Sequence, residues 1–109
     1  MNRVLKIATE FSDMPGPRYI AEGDYSGELF RRDFFEPLYL KCKKQGDTML
    51  VDLDDTEGYA TSFIEESFGG LKRIHPDDQI LDIVSIKSND EPFLIDEIRK
   101  CIDEALEKP

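Results

Sequence analysis

The chain has 109 residues, with 14 Lys and Arg against 24 Asp and Glu, a formal net charge of −10 and a pI near 4.5. That length suits one domain with one core, and 39% apolar residues suffice to fill it. The acidic balance repels phosphate backbones and anionic headgroups, which argues against nucleic acid and membrane surfaces and for a protein partner. Cys42 and Cys101 are the two cysteines, and neither lies in a CxxC or Cys/His cluster. Zinc binding and a disulfide framework therefore have no support, and no metal or cofactor is expected. No basic n-region with an apolar segment opens the chain and no apolar run of roughly 18 residues occurs, so a cytoplasmic location is expected.

Val4, Leu5, Ile7 and Ala8 predict a short first strand. Residues 11–23 carry prolines and glycines and predict an irregular connection, with another short strand around Arg18 to Ala21. Ser26 reads as the N-cap of a long helix whose apolar positions Leu29, Phe30, Phe34, Leu38, Tyr39 and Cys42 recur at helical spacing up to Gly46. Pro37 predicts a kink or two helical pieces meeting near Glu36. Arg18 with Ser26 and Gly27 is a candidate anion or nucleotide-phosphate cradle, because a helix start offers N–H donors and a positive dipole end. A lone Ser-Gly pair is nonetheless no phosphate loop.

Residues 48–53 predict a central buried strand, followed by an acidic loop and a helix from about Ser62. Ser62 and Glu65 stand at capping-box spacing. Gly69 and Gly70 cost a helix about 1 kcal/mol each relative to Ala, so they are expected to permit close helix-to-sheet packing or to end the helix early. After the turn 75–78, in which His75 reads as exposed, residues Ile80, Leu81, Ile83, Val84 and Ile86 predict another strand. The last helix is marked by Phe93, Leu94, Ile95, Ile98, Cys101, Ile102, Ala105 and Leu106 on one face, with residues 88–90 as cap candidates and Pro92 in its first turn. The alternation predicts a single α/β domain over residues 1–109, with a mixed sheet of about four strands and three main helices.

Two resemblances compete over the acidic loop. Met49-Leu50-Val51-Asp52-Leu53-Asp54-Asp55-Thr56 resembles the first motif of the haloacid-dehalogenase-like phosphatases, which implies Asp52 as nucleophile and Asp54 as acid/base with magnesium. Against it stand the position of the motif behind a strand and a long helix, Glu57 where that family has an apolar residue, and a chain too short for that fold.

The second resemblance spans residues 3–106. Gly16-Pro17-Arg18, the run Tyr25 through Arg31, Val51-Asp52-Leu53-Asp54, and Gly58-Tyr59-Ala60-Thr61-Ser62-Phe63 through Glu65-Glu66-Ser67-Phe68-Gly69-Gly70-Leu71 are similar to the STAS-like domain family of unknown function. That family is named for its similarity to sulfate transporter and anti-sigma factor antagonist domains. The resemblance implies a STAS-like fold and a non-catalytic regulatory or protein-interaction module, whose partner is a histidine-kinase-like ATPase of the anti-sigma type or a related signalling protein. It places Asp52 at the strand-end aspartate and Thr61, beside Ser62, at the serine on which STAS antagonists are phosphorylated by a partner kinase; Ala60 and Phe63 replace the neighbouring aspartate and glycine. The implied partner and switch face is Asp52, Gly58, Tyr59, Thr61, Ser62, Phe63 and Glu65, with Phe63 as anchor if exposed. A buried Phe63 shifts the contact to Glu57, Tyr59 and Glu65. Helix capping is the plainer role for Thr61 and Ser62.

Overall fold

A computed structural model describes residues 1–107. Among them three strands form one sheet in the order β1 (Asn2–Lys6), β2 (Thr48–Asp52) and β3 (Val84–Lys87), and both pairings are parallel. Apolar side chains of β-strands alternate between faces, so register decides which ones meet the core. Leu5, Val51 and Ile86 lie in one row and Arg3, Met49 and Val84 in the next. Leu5, Met49, Val51 and Val84 from these rows are buried among helical side chains, whereas Val4, Thr48 and Ser85 on the other face are exposed.

The expected sheet of about four mixed strands is corrected to three parallel ones. The proposed strand near Arg18 to Ala21 is a 3-10 turn, Ile20–Glu22. Its donors are spent locally, with Glu22 accepting from the Tyr19 N–H and Glu28 from the Ile20 N–H, each at 2.9 Å. The run expected as one strand from Ile80 divides in two. Ile80–Ile83 is a helical turn, α4, and only Val84 onward joins the sheet. A short apolar run carries no period able to separate the two states, and Ile80 and Ile83 at i, i+3 serve a helical turn equally well.

Three long helical runs cover the buried face: α2 (27–45), α3 (61–74) and α5 (Phe93–Glu104), with a short α1 (Ile7–Glu10) after β1. Ser26 caps α2 by accepting from the Leu29 N–H at 3.0 Å, and Gly46 ends it with φ +72°, a conformation that glycine adopts without a Cβ penalty. Ahead of Pro37, α2 widens into a π-turn, Arg31–Phe35, in which the Glu36 N–H reaches back to the Arg31 carbonyl. α3 contains a second π-turn, Glu65–Gly69, in which the Gly70 N–H reaches the Glu65 carbonyl. The two wide turns face each other across Phe35 and Phe68, whose ring centroids lie 5.0 Å apart. Gly69 and Gly70 neither end the helix nor meet the sheet. A Cβ at Gly70 would stand 2.8 Å from Arg31 Nε, and one at Gly27 would stand 2.7 Å from the Phe63 carbonyl. Glycine therefore sets the distance between α2 and α3.

Pro92 stands at the N-cap of α5 rather than inside its first turn, and residues 88–90 do not cap it. Ser88 Oγ donates instead to the Glu91 carbonyl at 2.7 Å. His75 is likewise not free in its turn. Its Nε2 lies 2.7 Å from Glu36 Oε2, and its ring packs 5.5 Å from that of Tyr39.

Candidate partner face and switch helix

The central strand ends on two carboxylates with different duties. Asp52 is buried at the end of β2; its Oδ1 accepts from the Asp54 N–H at 3.0 Å, and its Oδ2 faces Lys6 Nζ at 3.3 Å and Lys87 Nζ at 3.7 Å. Because Lys6, Asp52 and Lys87 are register partners at the strand ends, sheet geometry brings the three charges into one row. Burial opposes ionisation of Asp52, but the Asp54 N–H and the two lysines outweigh it and hold its carboxyl below the usual range. Asp55, at φ +70°, turns outward and takes Lys6 Nζ at 2.8 Å.

Asp54 faces the next loop. Its Oδ1 accepts from the Asn89 N–H at 2.7 Å and the Asp90 N–H at 2.9 Å, tying the β2–α3 loop to the β3–α5 connection. In the arrangement needed by a phosphatase, both carboxylates would converge on one substrate and metal. Here Asp52 is directed to two lysines of its own sheet and Asp54 to two backbone donors of a neighbouring loop.

Tyr59 folds back beneath this loop and donates its hydroxyl to the Leu53 carbonyl at 2.9 Å. Burial, ahead of the surrounding carboxylates, pushes its phenol well above the ordinary value, so it remains a donor across the working pH range. Gly58, at φ +116°, provides the bend before it. α3 then begins at Thr61 with Ala60 at the N-cap, and no side chain caps the helix. The expected Ser62–Glu65 capping box is absent: the helix already begins at Thr61, so Ser62 lies inside its first turn, and the Glu65 carboxylate is held by Arg73 and Arg18. Thr61 is exposed and Ser62 half-buried.

Phe63 is fully buried, stacked on Phe30 at 5.8 Å and tilted against Tyr59 at 5.6 Å by ring centroids, so it anchors the core and not a partner. Glu65 is withdrawn as well. Arg73 approaches it with two nitrogens, each at 2.9 Å, and Arg18 Nη1 reaches its Oε1 at 2.8 Å. Glu66 beside it takes Arg31 at 3.1 Å and Arg18 at 3.4 Å. Three guanidinium groups thus neutralise two adjacent buried carboxylates at the second π-turn. The Arg31, Arg73 and Glu66 partners were not singled out from sequence. The available signal was the pair of acids flanked by Phe63, Ile64 and Phe68, all on core-facing turns.

The expected anion cradle is filled by the chain itself. The Gly27 and Glu28 N–H groups donate to the Pro17 and Arg18 carbonyls at 2.8 and 2.9 Å, Ser26 Oγ accepts from Leu29, and the Arg18 guanidinium is committed to Glu65 and Glu66. What stays accessible at the strand-loop-helix junction is Glu57, Ala60 and Thr61, with Gly58, Tyr59 and Ser62 half-buried. From Thr61 a shallow groove of about 260 Å³ runs between α3 and α5, lined also by Glu97, Lys100, Cys101 and Glu104. No helix among the described residues is long and apolar enough to cross a membrane.

Comparison with curated proteins and with solved structures gives no match. A family description does match, over residues 26–93, from the cap of α2 through the β2–α3 loop and β3 to the first residue of α5. This stretch holds the buried glutamate pair, the glycines that bring α2 and α3 together and the uncapped helix start, and by it the chain belongs to the family described as a STAS-like domain of unknown function (DUF4325).

Proposed function

We propose that this STAS-like domain is a non-catalytic regulatory module, that a protein partner engages the junction 57–62, and that phosphate on Thr61 switches the contact. One observation carries the reading: Thr61 is exposed at the first position of a helix that no side chain caps, directly downstream of the Asp52-ended central strand. A dianionic group there meets the positive end of the helix dipole and free backbone donors, so the fold tolerates it while the surface seen by a partner changes sign. The exposed hydroxyl is open to a kinase, whereas Ser62 is half-buried. By analogy with the anti-sigma factor antagonists for which STAS-like domains are named, the partner of this reading is a histidine-kinase-like ATPase of the anti-sigma type.

The test is mass spectrometry of the natively isolated chain, reading co-purifying proteins and phosphopeptides covering Thr61 and Ser62 together. A bound ATPase with phosphate on Thr61 is the expected result. Thr61→Glu is expected to weaken that complex by about tenfold or more, on the order of 1.4 kcal/mol. A partner unaffected by Thr61→Glu and never accompanied by phosphate would overturn the switch.

A further inference from the structure

We infer that the loop 13–25 is a second, preformed part of the partner face, an aromatic anchor with acidic side chains on the same loop, fitted to an apolar patch bordered by Lys or Arg on another protein. The inference rests on the reading that a protein partner engages the junction 57–62, and it says what that partner must look like. Four large apolar side chains are exposed within these 13 residues: Met14 (65%), Tyr19 (48%), Ile20 (40%) and Tyr25 (48%). The loop connects α1 to α2, and four large apolar side chains exposed on so short a segment exceed the singly scattered ones that protein surfaces ordinarily carry.

The loop is held rigid. The Gly16 N–H donates to the Tyr25 carbonyl at 2.8 Å and closes it at the base. Pro17 and Arg18 carbonyls dock on the start of α2, the Tyr19–Glu22 box ties the 3-10 turn, and Arg18 reaches Glu65 and Glu66 beneath. Tyr25 sits at φ +54°, an uncommon backbone conformation for a non-glycine residue, while its ring packs edge-on against Phe11 at 5.6 Å. Such preorganisation spares a binding partner the entropy of ordering the loop, and tyrosine is enriched among residues that dominate binding energy.

Charge then specifies the occupant. Asp13, Glu22 and Asp24 are exposed on the loop, Glu57 is exposed on the junction, and none of the four takes part in an ion pair among the described residues. The one basic residue of the loop, Arg18, is already committed to Glu65 and Glu66. Four exposed carboxylates without an ion-pair partner, on the same loop as these apolar side chains and on the junction tied to it, favour basic groups on the partner and disfavour a second copy of this acidic chain. The loop is also continuous with the junction, because the Glu57 N–H donates to the Asp13 carbonyl at 2.8 Å.

The test places the photoactivatable residue p-benzoyl-phenylalanine at Tyr19, at Tyr25, at Thr61 and, as a control exposed site remote in sequence, at Leu40, in the full chain in cells. Adducts to the same protein from Tyr19 or Tyr25 and from Thr61, none from Leu40, and a crosslinked peptide from Tyr19 carrying Lys or Arg are expected. Asp24→Lys with Glu22→Lys, both at exposed positions, is expected to reduce the Tyr19 adduct at least fivefold. An adduct from Thr61 without one from either tyrosine overturns the loop and leaves the junction standing. No adduct from any of the three sites overturns the junction as well. Crosslinking to a second copy of the chain, or to an acidic peptide, overturns the chemistry assigned to the partner.

Discussion

Arg73 and Arg18 grip Glu65 from different elements, the first with two contacts at 2.9 Å and the second with one at 2.8 Å, while only 6% of the Glu65 side chain remains exposed. A carboxylate so deeply withdrawn is stable only while both guanidiniums stay in place. Removing one side of a buried ion pair typically costs about 3–5 kcal/mol, and the partial exposure of both arginines moves the expectation for Glu65→Ala to about 2–3 kcal/mol. Urea unfolding of Glu65→Ala against the wild type measures it, and a midpoint within experimental error of wild type would show that the network contributes nothing.

Phe63 and Thr61 are two residues apart and have opposite roles. Phe63→Ala removes a fully buried ring and is expected to cost about 3–5 kcal/mol. Thr61→Ala, at an exposed position with no side-chain hydrogen bond in the helix cap, is expected to change stability by no more than about 0.5 kcal/mol. Thermal melts of the two variants side by side separate core from surface, and equal losses would place Thr61 in the fold instead of the partner face.

Glycine at 27 is required by contact and at 46 by backbone conformation. Gly27→Ala drives a methyl to within 2.7 Å of a backbone carbonyl and is expected to cost about 1–3 kcal/mol, because α2 must move away from α3. Gly46 has nothing within 4 Å but lies at φ +72°, so Gly46→Ala is expected to cost about 1 kcal/mol and Gly46→Asn less. Denaturant midpoints rank the three; a Gly27→Ala protein as stable as wild type would mean that the two helices are not set by that contact.

Four aspartates have pKa values held below the ordinary value, Asp33 through its neighbour Arg32 on the surface and the other three through contacts distant in sequence or strand-end partners. At Asp78 the Tyr39 hydroxyl leads, followed by Lys43; at Asp47 the N-terminal ammonium leads; at Asp52 burial opposes but is outweighed by the Asp54 N–H and the lysines. A depressed folded-state pKa contributes stability that is present above the unfolded value, about 3.9, and lost as pH falls through the folded one. Unfolding free energy is therefore expected to be level on this account from neutral pH down to about 5 and to fall below about 4. Asp52→Asn is expected to flatten part of that acid limb, and an unchanged limb in this variant would remove Asp52 from the account. On the proposed non-catalytic reading the same variant makes no difference to magnesium-dependent aryl phosphate hydrolysis; activity abolished by Asp52→Asn would establish the phosphatase reading in its place.

The local grammar of the chain was readable without coordinates. The Ser26 cap and the Gly46 stop need only neighbouring backbone, and β2 and α5 announce themselves through one continuous apolar run and one apolar face. The family membership was also visible there, in the motif from Phe63 to Gly69-Gly70, although its residue types alone point to helix-to-sheet packing and only the fold shows Gly70 facing Arg31 of α2. What only the tertiary structure decided was direction and partnership. Ser62 and Glu65 have capping-box spacing, yet the helix begins at Thr61 and the carboxylate is held by Arg18 and Arg73, which lie 47 and 8 residues away. The Arg18 turn spends its donors on nearby glutamates and never reaches the sheet, and the supposed anion cradle closes on the carbonyls of Pro17 and Arg18. In each case the local pattern permitted two outcomes, and the partner that each donor or carboxylate met in the folded chain chose between them.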